Sequence, residues 1–176
     1  MTVYSGPGLA GATLGTRPTN VTVQVTRPAD TTQYSANDAI SDSTSAPTVL
    51  TLAGVAPDNG YGGIIRGCSL VKSTNTLTAA AFSVHLFRNT FTGLEDNAAV
   101  DLTDPEARTY IGGFAFAAAD GLALGLNAIW SKTNLDIPFV CESTSDDLYV
   151  VLRSDSTYTP ASAEIFDLIF LVEWPS

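Results

Sequence analysis

Side chains in this chain repeat with a period of two, and that repeat constrains the fold more than any other feature. In VTVQVT, Val21, Val23 and Val25 stand on one side and Thr22, Gln24 and Thr26 on the other. Phe82, Val84 and Leu86 oppose Ser83, His85 and Phe87, and Leu148, Val150 and Leu152 oppose Tyr149, Val151 and Arg153. From Ile165 to Trp174 both sides are largely apolar, as in a central strand or one covered by a partner. Successive side chains of a strand point to opposite faces, so a period of two means strands with one face in a core.

Further short runs of β-branched and aromatic residues, most of them bounded by Gly, Pro, Asn, Asp or Ser, are predicted as strands: Asp38–Ser41, Thr48–Leu52, Gly63–Ser73, Thr109–Ala117, Ala128–Lys132 and Leu135–Cys141. No stretch of ten residues carries a helical stripe, and Leu94–Leu102 has room for one short turn. The fold class expected is all-β, a jelly-roll β-sandwich of about 8–10 antiparallel strands. The domain is placed at 20–176, behind an extended arm over 1–19 that holds Gly6, Gly8, Gly11, Gly15, Pro7 and Pro18. Arg27-Pro28 ends the first strand at a sheet edge, because proline cannot donate to a ladder. The segment that follows, ADTTQYSANDAI, turns the corner.

A chain of 176 residues buries roughly 70% of its unfolded surface and needs no metal or disulfide staple. Only 15% of it is charged, below the ordinary quarter or so, and mean hydropathy is +0.18, so something other than surface charge covers part of it. Eighteen acids against 8 bases give a net charge of -10, which argues against nucleic acid, whose phosphates want clustered Lys and Arg. The N-terminal MTVYSGPGLAG has neither the basic start nor the apolar core of a secretion signal, and no apolar run approaches a membrane span. The expectation is a soluble chain folded in the cytoplasm that made it, with no membrane partner. Cys68 and Cys141, 73 positions apart, are expected to be buried free thiols.

Chemical signatures are sparse. The one histidine, His85, sits mid-strand with no nucleophile elbow nearby, so a structural role outweighs catalysis. GPGLAG at 6–11 matches a dinucleotide fingerprint literally but lacks the strand before and the helix after that the mechanism requires. Glu95, Asp96, Asp101, Asp104 and Glu106 lack the spacing of a calcium loop; they read as a solvated loop or an acidic contact for a basic partner surface. Tyr34, Tyr61, Tyr110 and Tyr158 fall near strand ends, where tyrosines more often cover a core than bind ligands. No catalytic residue, cofactor or metal ligand is assigned. Arg17 and Arg27 stand as candidate ionic contacts to a neighbour, against the plainer role of solvated or loop-fixing arginines.

Three stretches, VTVQVTRPADTTQYSANDAI (21–40), EDNAAVDLTDPEARTYIGGFAF (95–116) and SDSTYTPASAEIFDLIFLVEW (154–174), resemble, in their order and spacing, small jelly-roll proteins encoded with the head genes of tailed bacteriophages. The resemblance implies a non-enzymatic capsid decoration or cement protein on the outer surface of the virion. Its partners would be the major capsid protein and neighbouring decoration subunits, and its assembly a homotrimer at or near three-fold positions. The alternatives are another virion structural role, a glycan- or receptor-binding jelly roll of a phage fibre, and an enzyme acting on polysaccharide.

Overall fold

The computed structural model describes residues 17–174, in nine strands: β1 Arg17–Thr26, β2 Leu50–Leu52, β3 Gly62–Lys72, β4 Phe82–Phe87, β5 Tyr110–Phe116, β6 Leu122–Leu124, β7 Asn127–Val140, β8 Leu148–Ser154 and β9 Ile165–Trp174. They form a five-stranded sheet in the order β1-β9-β3-β7-β6 and a four-stranded sheet in the order β2-β8-β4-β5, every pairing antiparallel. With the short hairpin strand β6 set aside, this is the two-sheet, eight-strand order of a jelly roll. The jelly-roll reading of the sequence therefore holds.

Inward residues follow the alternation. Phe82, Val84 and Leu86 of β4 and Leu148, Val150 and Leu152 of β8 are buried at 1% exposure or less, and from β9 so are Phe166, Leu168, Phe170 and Val172. Phe82 is the hinge of the aromatic packing, edge-on to Trp130 at 5.6 Å, Tyr158 at 5.4 Å and Phe166 at 5.5 Å. Cys68 and Cys141 are separate buried thiols, and burial raises both; Cys141 reaches about 11.

Several boundaries differ from expectation. β1 starts at Arg17, so residues 17–19 belong to the sheet, and the remainder of the predicted arm lies outside the described residues. Asp38–Ser41 is no strand: it makes two isolated bridges, Asp38 to Ala99 and Ala39 to Arg153, as the chain skirts the edge of the smaller sheet. The predicted strands at 128–132 and 135–141 are one strand, β7, which continues through positive φ at Asn134 (57°) and Asp136 (50°). Asn and Asp tolerate that region best after glycine, so the sequence looked interrupted where the strand only bends. The helical turn is α1, Asp104–Ala107, just beyond the stretch picked out for it.

The outer faces of the two sheets differ. Phe87 and Val151 face outward from β4 and β8 and are covered by Phe91, Leu94, Val100 and Leu102 of the β4–β5 connection. On the larger sheet, the outward Thr22, Ile169, Ser69 and Ser131 lie in one row across four strands and stay partly or fully exposed.

Candidate functional site

Two of the residues proposed as partner contacts meet each other instead. Arg27 follows β1, Asp96 lies in the β4–β5 connection, and both side chains are fully buried with Nη2 donating to Oδ2 at 3.0 Å. Arg27 Nε donates to Tyr34 Oη at 2.9 Å, Nη1 to the carbonyls of Asp30 and Ala161, and Nη2 also to the Asp30 carboxylate. A guanidinium has five N–H groups, and these contacts use them all. The other Asp96 oxygen accepts from Tyr34 Oη at 2.5 Å and the Ser41 amide at 3.0 Å. Arg27 as an ionic anchor and Asp96 as part of a solvated acidic loop are thus both corrected: both side chains are sealed from the surface, and Arg27 has no N–H left to offer.

A second buried network, missed in the sequence, closes the same end of the sandwich. Lys72, the last residue of β3, donates to Glu164 at 2.9 Å, Tyr158 at 2.8 Å and Thr74 at 2.6 Å, which uses its three ammonium protons. Tyr158 and Thr74 also donate to Glu164. Burial holds the Lys72 ammonium below its usual range, and burial together with the Glu164 contact raises the Tyr158 phenol. The two networks adjoin through Tyr34 and Tyr158, whose rings lie parallel with centroids 6.5 Å apart. No buried side-chain polar atom among the described residues lacks a partner. The signal for Lys72 was a lone charge closing an apolar strand, GCSLVK. Mechanically, the two ion pairs fasten the long connections 27–49, 88–109 and 155–164 to the ends of β1 and β3.

The rest of the acidic stretch divides. Glu95, Asp101 and Asp104 stay exposed. Glu106 accepts from the Thr92 amide at 2.7 Å and from the Thr103 amide and hydroxyl at 2.8 and 2.7 Å, which pulls its carboxyl down to about 2. Arg17 lies opposite Trp174 in the β1–β9 ladder. Of the four tyrosines, Tyr34 and Tyr158 are buried, whereas Tyr61 and Tyr110 are about half exposed.

His85 lies on the outer face of the smaller sheet beside Ser83, Arg153 and Asp155. Ser83 Oγ is 3.1 Å from His85 Nε2 and 3.0 Å from Asp155 Oδ1, and Arg153 Nε donates to both Ser83 and Asp155 at 3.0 Å. A hydrolytic triad needs the carboxylate on the far nitrogen of the imidazole, where it orients the base. Here Asp155 holds the hydroxyl and the guanidinium, so the arrangement is a structural polar cluster. Burial and the nearby Arg153 charge hold His85 below its ordinary range. Beside the cluster, a groove of about 320 Å³ runs between His85, Tyr110, Arg153 and the apolar Phe87, Val100 and Leu102.

The larger sheet presents a face of another kind. One row across it reads Gln24, Asp167, Val71, Ile129, Leu122, and the neighbouring row reads Thr22, Ile169, Ser69, Ser131. The single ionisable side chain of these two rows, Asp167, accepts from Gln24 at 2.6 Å, and further along the same face Arg66 pairs with Asp136 and Glu173. At the β6 edge, Leu122 and Leu124 are 57% and 54% exposed, and Leu126 in the following turn is 82% exposed. Gly125, at φ +63°, takes the first central position of that two-residue turn. LALGL, with glycine between apolar residues, carried the hairpin signal in the sequence.

No family model matches the chain, and no curated protein matches it. Among solved structures it is similar to that of desmodium yellow mottle tymovirus, with 12% identity and a TM-score of 0.27 over 100% of this chain and 91% of that one. It is also similar to the coat protein of tobacco streak virus, with 13% identity and a TM-score of 0.26 over 88% and 86%. Scores of this size do not establish a shared fold, and the jelly-roll assignment rests on the strand order.

Proposed function

We propose that this chain is a non-enzymatic structural subunit of a virion, a decoration or cement protein that seats on the outer surface of an icosahedral phage capsid and stiffens it. The observation that carries the reading is the contrast between the two sheet faces. The smaller sheet covers its outer apolar residues with its own β4–β5 connection, whereas the larger leaves two cross-strand rows of hydroxyl, amide and aliphatic side chains with one ionisable group among them. Rows that met only water would carry more charge; these two charge-poor rows, with the charged Arg66, Asp136 and Glu173 gathered further along the same face, suit a contact with the major capsid protein. The buried ion pairs at one end of the sandwich support the same role, since a subunit that reinforces a shell must not yield in its own loops. Glu95, Asp101 and Asp104 remain as acidic contacts for a basic partner surface. Arg17 remains as an ionic one. Many identical sites on one shell let weak single contacts add through avidity. The resemblance of residues 21–40, 95–116 and 154–174 to head-gene jelly rolls, with the homotrimer at or near three-fold positions that it implies, points the same way.

The test is to mix purified chain with undecorated phage heads, sediment them, and measure the mass of the free chain by light scattering. Saturable pelleting with heads, together with a trimeric mass, is the expected result. A monomer that stays in the supernatant removes the reading. The groove at His85, Tyr110 and Arg153 favours a second reading as a glycan-binding domain, because it sets a half-exposed aromatic ring beside hydrogen-bonding groups. A glycan array with no binding disposes of it.

A further inference from the structure

Tyr110 stands between two recesses, and polar groups around it are unspent. On one side lies the groove of about 320 Å³ that holds His85 and Arg153; on the other, Arg88, Ile111, Pro138 and Phe139 line a recess of about 300 Å³. Tyr110 is 49% exposed, and its ring is steadied by Phe87, edge-on at 5.5 Å, and by His85 at 6.0 Å. Its hydroxyl makes no hydrogen bond among the described residues.

The Ser83 cluster fixes the tautomer of His85. Ser83 Oγ has one proton, which goes to Asp155 Oδ1 at 3.0 Å, and it accepts from Arg153 Nε. The 3.1 Å contact between Ser83 and His85 Nε2 is therefore donated by the imidazole, which leaves Nδ1 as a bare acceptor. Gly113 pairs with His85 across β4 and β5. A Cβ on Gly113 would lie 2.8 Å from Tyr110 Oη and 3.0 Å from His85 Nδ1, besides the Val84 carbonyl oxygen at 2.6 Å. A phenol hydroxyl and an imidazole lone pair thus converge over a residue without a side chain, and no hydrogen bond joins them.

Charge distinguishes the other side of Tyr110. The chain holds 18 acids against 8 bases, yet Arg88 and Arg108 form no ion pair among the described residues, whereas Arg27, Arg66, Lys72, Lys132 and Arg153 all do. Both unpaired arginines flank Thr109, whose carbonyl accepts from the Arg88 amide at 2.9 Å. The Arg88 side chain is exposed and shares its recess with Tyr110. On so acidic a chain, cations left unpaired at one place suit an anion brought from outside, and a guanidinium grips a carboxylate with two parallel hydrogen bonds.

We propose that Tyr110 is the platform of a binding site for acidic saccharides, chains of sugar rings that carry carboxylates. Arg88 takes a carboxylate and the exposed face of Tyr110 takes a ring. His85 Nδ1 and Tyr110 Oη take a ring hydroxyl between them, one as acceptor and one as donor. The inference rests on the glycan-binding reading, for which it names the ligand class, and is independent of the shell reading.

His85 is the one histidine, so its imidazole proton resonance reports on the site directly. The full chain is titrated near neutral pH with a galacturonate trisaccharide, with maltotriose as a neutral saccharide, and with citrate as carboxylates without sugar rings. The galacturonate is expected to shift the resonance saturably and to bind about ten-fold more tightly than either of the others, the least that a charge-assisted hydrogen bond implies. Arg88→Gln is expected to lose that advantage. Lys132→Gln, which removes the same charge from β7 of the larger sheet, is expected to keep it, and circular dichroism confirms that both variants are folded. Maltotriose binding as tightly as galacturonate overturns the acidic class and leaves the glycan reading standing. Citrate binding as tightly, or an equal loss in both variants, overturns the saccharide site in favour of a general attraction for anions. No shift with any of the three removes this proposal and the glycan reading together.

Discussion

Arg27 and Asp96, 69 positions apart in the chain, meet at 3.0 Å with both side chains completely buried. This pair ties the end of the first strand to a connection that belongs to the opposite sheet. It decides which acid of the acidic stretch is structural. Removing one partner of a buried pair strands the other charge, which costs far more than the net value of the pair.

Asp96→Ala is expected to lower unfolding stability by about 3–5 kcal/mol, through the uncompensated Arg27 guanidinium. Urea denaturation measures it. Glu95→Ala, one residue away and exposed, is expected to stay within about 0.5 kcal/mol of the parent. Equal effects of the two substitutions would refute the assignment.

The Lys72–Glu164 pair gives a double-mutant prediction. Lys72→Met alone and Glu164→Leu alone each leave a buried partner charge or its hydrogen-bonding tyrosine unsatisfied, and each is expected to cost about 3–5 kcal/mol. The double variant is expected to lie closer to the parent than either single variant, because no charge is then left buried. Additive losses in thermal or chemical unfolding would contradict this.

Glu106 supplies an acid-side signature. The Thr92 amide, followed by the Thr103 hydroxyl and amide, lowers its carboxyl from 4.5 to about 2. A lowered acid contributes its stabilisation in full above 4.5 and loses it as pH falls towards 2. Carboxyl NMR should place its midpoint near 2, and Glu106→Gln should flatten the pH dependence of amide protection around Thr92 and Thr103 in that window. A midpoint at 4.5 would count against the capping geometry.

His85 is the one histidine of the chain, so its imidazole resonances need no assignment. Burial, then the Arg153 charge, places its folded value below 6.5, so as pH drops below 6.5 the unfolded chain takes the proton first and stability declines. Arg153→Gln should raise the titration midpoint and Asp155→Asn should lower it. A parent midpoint above 6.5 would show that the ring is more open to water, or closer to Asp155, than the structure has it.

The alternation of Val21–Thr26, Phe82–Phe87 and Leu148–Arg153 was enough by itself to tell which side of each strand enters the core, because the pleat imposes its period on neighbouring residues; Ile165–Trp174, apolar on both sides, left that choice to the tertiary structure. Arg27-Pro28 marked the end of the first strand for an equally local reason: proline has no N–H to give to a ladder. The low charge bounded the class of protein in the same way. Tertiary structure alone decided the order β1-β9-β3-β7-β6, the continuity of β7 through Asn134 and Asp136, and the fate of each ionisable group. Asp96 and Glu95 are adjacent and chemically alike, yet one is sealed beneath Tyr34 and Ser41 while the other faces water. What separates them is the path of a connection that crosses from one sheet to the other. That path is set by packing between residues distant in sequence, which no local pattern records.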